Sequence, residues 1–318
     1  MQGFFLYLLD ISPKSLYNST VHFLNIYEYD LYLKGIYMRI ITDSAADFTL
    51  EELDRFSVRC VSMQVIFGDE SWSASSLSAE VFWQRLNSGE IAKTSQPSPD
   101  AFLKEFETAQ EEGEEVVYIG VSSSISGTIQ SATIAASMTE SNKVHIVDSL
   151  TGAGGQKLLV LHACQLRDEG KLSAGEIADE LNRLKTRIHL YASLDTLENL
   201  ARSGRISKAA ASIGTLAQLK PLVRLVPQTN GSIEVCGKAI GRHRAIDSIT
   251  KLIAKHKIDD RFPVLPIYTY AQDNCLALVK KLKANGIAVS EDMYGALGPT
   301  LSTHIGAGAY GLAFVEAE

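Results

Sequence analysis

Hydroxyl side chains gather at two places in this 318-residue sequence where they could hold an anion: Thr94-Ser95-Gln96-Pro97-Ser98 and Ser122-Ser123-Ser124-Ile125-Ser126-Gly127-Thr128. Hydroxyl and backbone N–H donors give a carboxylate or phosphate charge-assisted hydrogen bonds without a buried cation. A single serine in such a place more often caps a helix, but four serines and a threonine around Gly127 exceed what one cap requires. In the first run, Ser98 accounts for the cap of the next helix and Pro97 for the turn, which leaves Thr94 and Ser95 for another task. A lone histidine, His304, stands in Leu301-Ser302-Thr303-His304-Ile305-Gly306-Ala307-Gly308-Ala309. Lone histidines are more often structural than functional. Serine with histidine raises acyl chemistry, yet no Gly-x-Ser-x-Gly elbow is present and no acid is placed by motif to orient the ring. There is no Walker A sequence and no Gly-x-Gly-x-x-Gly after a strand, and Gly152-Ala153-Gly154-Gly155 falls short of that fingerprint.

The elements that must position these residues read as β/α crossover units from Met38 onward. Ile40-Ile41 is a strand leading to a helix whose start is marked by the Thr49/Glu52 capping box. Val58 to Phe67 reads as the next strand, and a helix over Ala79 to Ser88 stops at Gly89. The 94–98 loop is then pinned against a helix that opens with Ser98 and Pro99. Val116 to Val121 is a continuous apolar run, a buried strand emptying into the serine-rich turn ahead of a helix through Met138. In open α/β sheets, that is where strand ends and helix N-termini meet ligands. Val144 to Val147 is another strand, and Gly152 opens a long helix to about Arg167. After Gly170 the texture changes: a helix to about Lys185, a strand near Leu190 to Leu194, a helix ending around Gly204, and Asn230-Gly231 between two strand-like runs, a strong hairpin signal. The expectation is a two-domain α/β chain, with a mainly parallel N-terminal domain over 38–167 and a C-terminal α/β domain containing antiparallel strands over 168–318.

Composition narrows the function. Forty-six per cent of residues are hydrophobic, enough for a sizeable core. A formal charge of −7 with basic residues scattered among acidic ones argues against nucleic acid. Cys60, Cys164, Cys236 and Cys275 form no CxxC pair, so neither a zinc site nor a disulfide framework is indicated. No transmembrane window exists, and a soluble cytoplasmic protein is expected. Residues 1–37 hold six of the twelve tyrosines and show no clean period. They read as an upstream extension, such as a misassigned start codon would add, and not as a signal peptide.

Taken together, Ile40-Ile41-Thr42-Asp43-Ser44-Ala45-Ala46-Asp47, Thr94 to Ser98, Ser122-Ser123-x-x-Ser126-Gly127-Thr128, Val147-Asp148-Ser149, Gly204-Arg205-Ile206-Ser207 and His304-Ile305-Gly306-x-Gly308-Ala309 closely resemble the DegV family of bacterial fatty-acid-binding proteins. The resemblance runs from Met38 to the C-terminus and rests on the order and spacing of these motifs together. It implies a two-domain fold with one long-chain fatty acid buried between the domains and no further cofactor or metal. It also implies a carboxylate held by Thr94 and Ser126, with Ser95, Ser122, Ser123, Gly127, Thr128, His304 and Gly306 contributing to the site. In such relatives the bound acid can be presented to a separate ATP-dependent fatty acid kinase that makes an acyl phosphate for phospholipid synthesis, so the chain is expected to be a carrier and not a catalyst. Arg205, whose segment matches one near the mouth of the family's site, together with the basic cluster of Lys238, Arg242, His243 and Arg244, is a candidate for docking that kinase or neutralising an acyl phosphate. The alternatives are an acyl-processing enzyme using Ser126 and His304, or a lipid-sensing regulator that needs no kinase.

Overall fold

The computed structural model describes residues 38–207, 218–290 and 295–318; residues 1–37, with the extension expected there, lie outside the described residues. Strands β1 (Met38–Asp43), β2 (Val58–Val61), β6 (Glu115–Gly120) and β7 (Val144–Asp148) form a parallel sheet in the order β2-β1-β6-β7. The apolar runs of the central strands β1 and β6 fit burial on both faces. On one face, Ile41, Val116 and Tyr118 pack with Phe102 and Phe106 of the helix Pro99–Glu111 and with Ala132 and Ala135 of the helix Thr128–Ala136. On the other, Ile40, Val117 and Ile119 meet the long helix Ala153–Glu169 and the helix Ala174–Leu184.

Strands β8 (Ile188–Ser193), β9 (Leu219–Leu225), β10 (Glu234–Ile240), β11 (Leu265–Tyr268), β12 (Gly295–Ala296) and β13 (Tyr310–Val315) make a second sheet in the order β10-β9-β8-β13-β11-β12. Every pairing in it is antiparallel except β11 with β12. A third, small antiparallel sheet joins β3 (Gln64–Phe67), β4 (Glu70–Ser73) and β5 (Ala92–Ser95) in the order β4-β3-β5. The helix Ala153–Glu169 is buried almost all round its first three turns because it is sandwiched between the two larger sheets. A Cβ on Gly154 would stand 3.2 Å from both the Ala313 Cβ and the Ile267 Cγ2 of the six-stranded sheet. Gly154 therefore serves the close approach of helix to sheet.

The expected pattern holds in outline, with four local differences. The Val58–Phe67 strand divides into β2 and β3, because Ser62 turns its hydroxyl to the Met63 carbonyl and accepts the Ser75 N–H. Thr94 and Ser95 belong to strand β5, not to a loop. His304 sits on a short helix, Pro299–Ile305, and the glycine turn follows it. Asn230 and Gly231 both adopt left-handed backbone, with φ of 47° and 79°. However, Pro227 opens a 3-10 turn through Thr229 ahead of them, so the connection between β9 and β10 is wider than a two-residue hairpin. The helix Ala174–Leu184 packs on β6 and β7 of the parallel sheet, so the six-stranded sheet begins only at Ile188.

Candidate ligand-binding site

Three elements from different parts of the chain converge on one pocket: strand β5, the loop after β6, and the helix Pro299–Ile305. Thr94 is brought in by the register of β5 on β3, where it pairs with Val65. Its Oγ1 lies 2.8 Å from Nε2 of His304. Ser126 lines the same pocket, together with Thr94, His304, Thr300 and Arg205. Its hydroxyl is 2.7 Å from that of Thr128. The helix Thr128–Ala136 has Gly127 as its N-cap, and its first N–H, that of Thr128, donates to the Ser126 hydroxyl at 3.4 Å. Ser126 therefore touches the helix start, whose partial positive charge lies beside the hydroxyl pair.

The loop carrying Ser126 is held rigidly by bonds that occupy its other serines. Val121 N–H donates to Asp43 Oδ2 at 2.8 Å, while the Ser122 hydroxyl donates to the Gly231 carbonyl at 2.9 Å. Ser123 donates through its N–H and hydroxyl to Asp148, and Ser124 donates to the Asn230 carbonyl. Asp43 also accepts from Tyr118 Oη, the Ala45 N–H and Gln156. Its burial raises its pKa against the lowering effect of those donors. A Cβ on Gly127 would fall 2.2 Å from Gln96 Oε1, so a larger residue there would displace the Gln96 amide from its bond to Ser131.

Of the expected site residues, the structure brings Thr94, Ser126 and His304 into one pocket, with Thr128 bonded to Ser126 behind them. Ser122 and Ser123 are drawn away to Gly231 and Asp148, and Ser95 is exposed on β5. Gly306 ends the His304 helix, its N–H donating to the Ser302 carbonyl at 2.8 Å. The docking trio is divided. Arg205 lines the pocket itself, half-buried, with Nε donating to the Ile125 carbonyl at 3.3 Å, and burial lowers its pKa. Lys238 is exposed on β10, and Arg242, at the start of the helix Arg242–Ile253, donates to Asn274 at 3.1 Å. Sequence reading had placed Arg205 at the mouth; nothing in its local motif distinguishes a side chain turned inward from one turned out.

His304 is held neutral. Burial, reinforced by the nearby Arg205 charge, pushes its pKa down to about 4, and its Nδ1 is buried without a hydrogen-bond partner. Its bonded nitrogen faces Thr94, while Ser126 bonds Thr128, so the serine and histidine are not paired as nucleophile and base.

The pocket holding these polar groups shares Ile125, Leu200, Ile233, Leu301 and Ile305 with a second, apolar cavity. That cavity runs between the helix start at Gly152 and Ala153 and the six-stranded sheet, where Leu190, Ala192, Val223 and Leu225 form its floor. None of the residues lining it is charged. The arrangement is a head pocket bearing the polar groups that adjoins an apolar tail cavity across shared residues. Asp47 buttresses the head from outside. Its Oδ1 accepts the Gly298 N–H at 2.9 Å, fixing the start of the His304 helix, and burial raises its pKa to about 7.

The site lies in a two-domain α/β fold, where a pocket of polar groups stands beside an apolar cavity. Comparison with known proteins places that fold in a family. The profile described as "Uncharacterised protein, DegV family" matches residues 37–317, and the chain belongs to the DegV family. The DegV domain-containing protein YteA of Lactococcus lactis is 32% identical over 277 residues, covering 85% of this chain and 94% of that protein. Among solved structures, a DegV family protein from Thermus thermophilus, described for its fatty acid binding, superposes with a TM-score of 0.78 at 30% identity, covering 88% of this chain and 99% of the other. The Streptococcus pneumoniae Fatty Acid Kinase (Fak) B3 protein loaded with linoleic acid shares the fold, with a TM-score of 0.75 at 20% identity and the same coverage. Among the described residues, no helix is long and apolar enough to cross a membrane.

Proposed function

We propose that this protein binds one long-chain fatty acid, with the carboxylate in the pocket of Thr94, Ser126 and His304 and the acyl chain in the cavity over β8 and β9. The observation that carries the reading is that a pocket bearing the Thr94 and Ser126 hydroxyls and His304 adjoins, across shared residues, a cavity that has no charged lining. Each buried methylene contributes roughly 0.8 kcal/mol, and each hydrogen bond to the charged head about 1.5–3 kcal/mol. The Thermus thermophilus relative, described as a fatty acid binder, supports the same ligand class. The protein is then a carrier that offers the head group to an ATP-dependent kinase, a role consistent with the family resemblance and with a serine and histidine that are not paired for catalysis. Thr94, Ser126 and His304 position the head group, Thr128 holds Ser126, and Arg205 compensates charge beside it.

Mass spectrometry of the protein isolated under native conditions tests the ligand. One fatty acid per chain is expected, and it should be lost from a Thr94→Val, Ser126→Ala double variant that keeps its fold. A ligand of another class, or none after incubation with oleate, would overturn the reading.

A further inference from the structure

The face of the six-stranded sheet turned away from the tail cavity carries a second cluster of functional groups. Along β8, Leu190 and Ala192 line the cavity, so by the alternation of a strand His189 and Tyr191 project from the opposite face. There His189 meets His256, which follows the helix Arg242–Ile253, and Glu316, which follows β13. Glu316 is delivered by the β13–β8 ladder, which pairs Phe314 with His189 and Val315 with Ile188, and its N–H donates to the Arg187 carbonyl. One ligand-type atom from each of the three residues lies within 4.8 Å of the others.

The hydrogen bonding around this cluster is incomplete in a particular way. His256 uses both nitrogens: Nδ1 is 2.8 Å from Glu316 Oε1, and Nε2 is 3.0 Å from Tyr191 Oη. His189 is 1% exposed, and neither of its ring nitrogens makes an aligned hydrogen bond, although Nε2 comes within 2.9 Å of Glu316 Oε2. A buried imidazole in that condition is costly unless something satisfies it. The neighbouring cations are directed elsewhere. Arg187 donates to the Glu316 main-chain carbonyl, to Asp259 and to Glu318, and Arg261 pairs with Asp259. The two Glu316 carboxylate oxygens face the two imidazoles.

We propose that His189, His256 and Glu316 form a binding site for a divalent transition-metal ion of the zinc type. Two imidazoles and one carboxylate suit such ions, and a fourth position would remain for water. The Tyr191 hydroxyl, bonded to the second nitrogen of His256, supplies the outer contact that fixes the orientation of a ligating histidine. Metal–ligand bonds of about 2.0–2.2 Å ask the partly exposed Glu316 side chain to close on the two rings. His256 also lines a surface groove with Ala254, Ile258 and Asn285, which gives the ion a route from solvent.

Calorimetric titration of untagged, chelator-treated full-length protein with Zn²⁺ tests this. One ion per chain is expected. Affinity should drop at least tenfold in Glu316→Gln and in His256→Ala, and less in Tyr191→Phe, while Mg²⁺ should not compete. Because these residues lie across the sheet from the cavity, the variants should retain bound fatty acid, and that content also reports that they fold. Substoichiometric binding, or equal affinity in Glu316→Gln, would overturn the proposal.

Discussion

The head pocket and the tail cavity are adjacent yet built on different rules. The head draws Thr94 from a three-stranded sheet, Ser126 from a loop after the parallel sheet, and His304 from a short helix. Each presents a directional group whose position is fixed by bonds behind it. The tail is walled largely by Leu, Ile, Val and Ala of the six-stranded sheet and of the helices and loops that cover it, where no single group is required to point anywhere. Orientation therefore resides in few atoms and affinity in many, which lets chain preference change without disturbing how the head is presented.

That contrast gives the largest effect to look for. Tail affinity should scale with length at about 0.8 kcal/mol per methylene, so shortening an 18-carbon acid to 12 carbons should weaken binding by roughly 5 kcal/mol. Displacement titration across a chain-length series measures the slope. A flat series would mean that the cavity does not take the chain.

Head variants should shift that line without tilting it. Thr94→Val and Ser126→Ala each remove one donor to a charged group and should each cost about 1.5–3 kcal/mol at every chain length. If either changed the slope instead, head and tail would not be separable. Ser126→Ala carries the sharper test, because Thr128 is left beside it as a substitute donor, and a loss nearer the low end is expected there.

How legible was this contrast before the fold was known? The parallel sheet was plain, because Ile40-Ile41 and Val116 to Val121 are buried on both faces and leave an unbroken apolar signature. Thr94 and Ser126 emerged from motif order, and the structure assembles them in one pocket with His304. The role of each serine in the 122–126 run was not legible. Which hydroxyl faces the pocket depends on partners over a hundred residues away, Gly231 for Ser122 and Asn230 for Ser124. The inward turn of Arg205, which reaches the Ile125 carbonyl, and the hold of Asp47 on the start of the His304 helix were not legible for a similar reason. The tail cavity was invisible because its lining is ordinary core composition, with only the shape between helix and sheet distinguishing it. The His189, His256 and Glu316 cluster joins a strand, a helix end and the C-terminal segment, with no local spacing to signal it.

The smallest expected effect concerns the neutral histidine of the head. In the folded chain, burial lowers the His304 pKa to about 4 from an ordinary value of 6.5. Between those values the unfolded chain binds a proton that the folded chain refuses, so the contribution of His304 to stability is full above about pH 6.5 and is lost as pH falls toward 4. By pH 5.5 the loss should be about 1 kcal/mol. His162 and His189 are also lowered by burial and add to the same acid limb, whereas Asp47, raised to about 7, acts in the opposite direction. Comparing wild type with His304→Gln cancels those shared contributions. Urea midpoints of lipid-free protein should run parallel above pH 6.5 and converge or cross below it, the glutamine variant losing less stability on acidification. Parallel curves down to pH 4.5 would mean that His304 takes up its proton freely, and the head pocket would then present a cation to its ligand in place of a neutral donor.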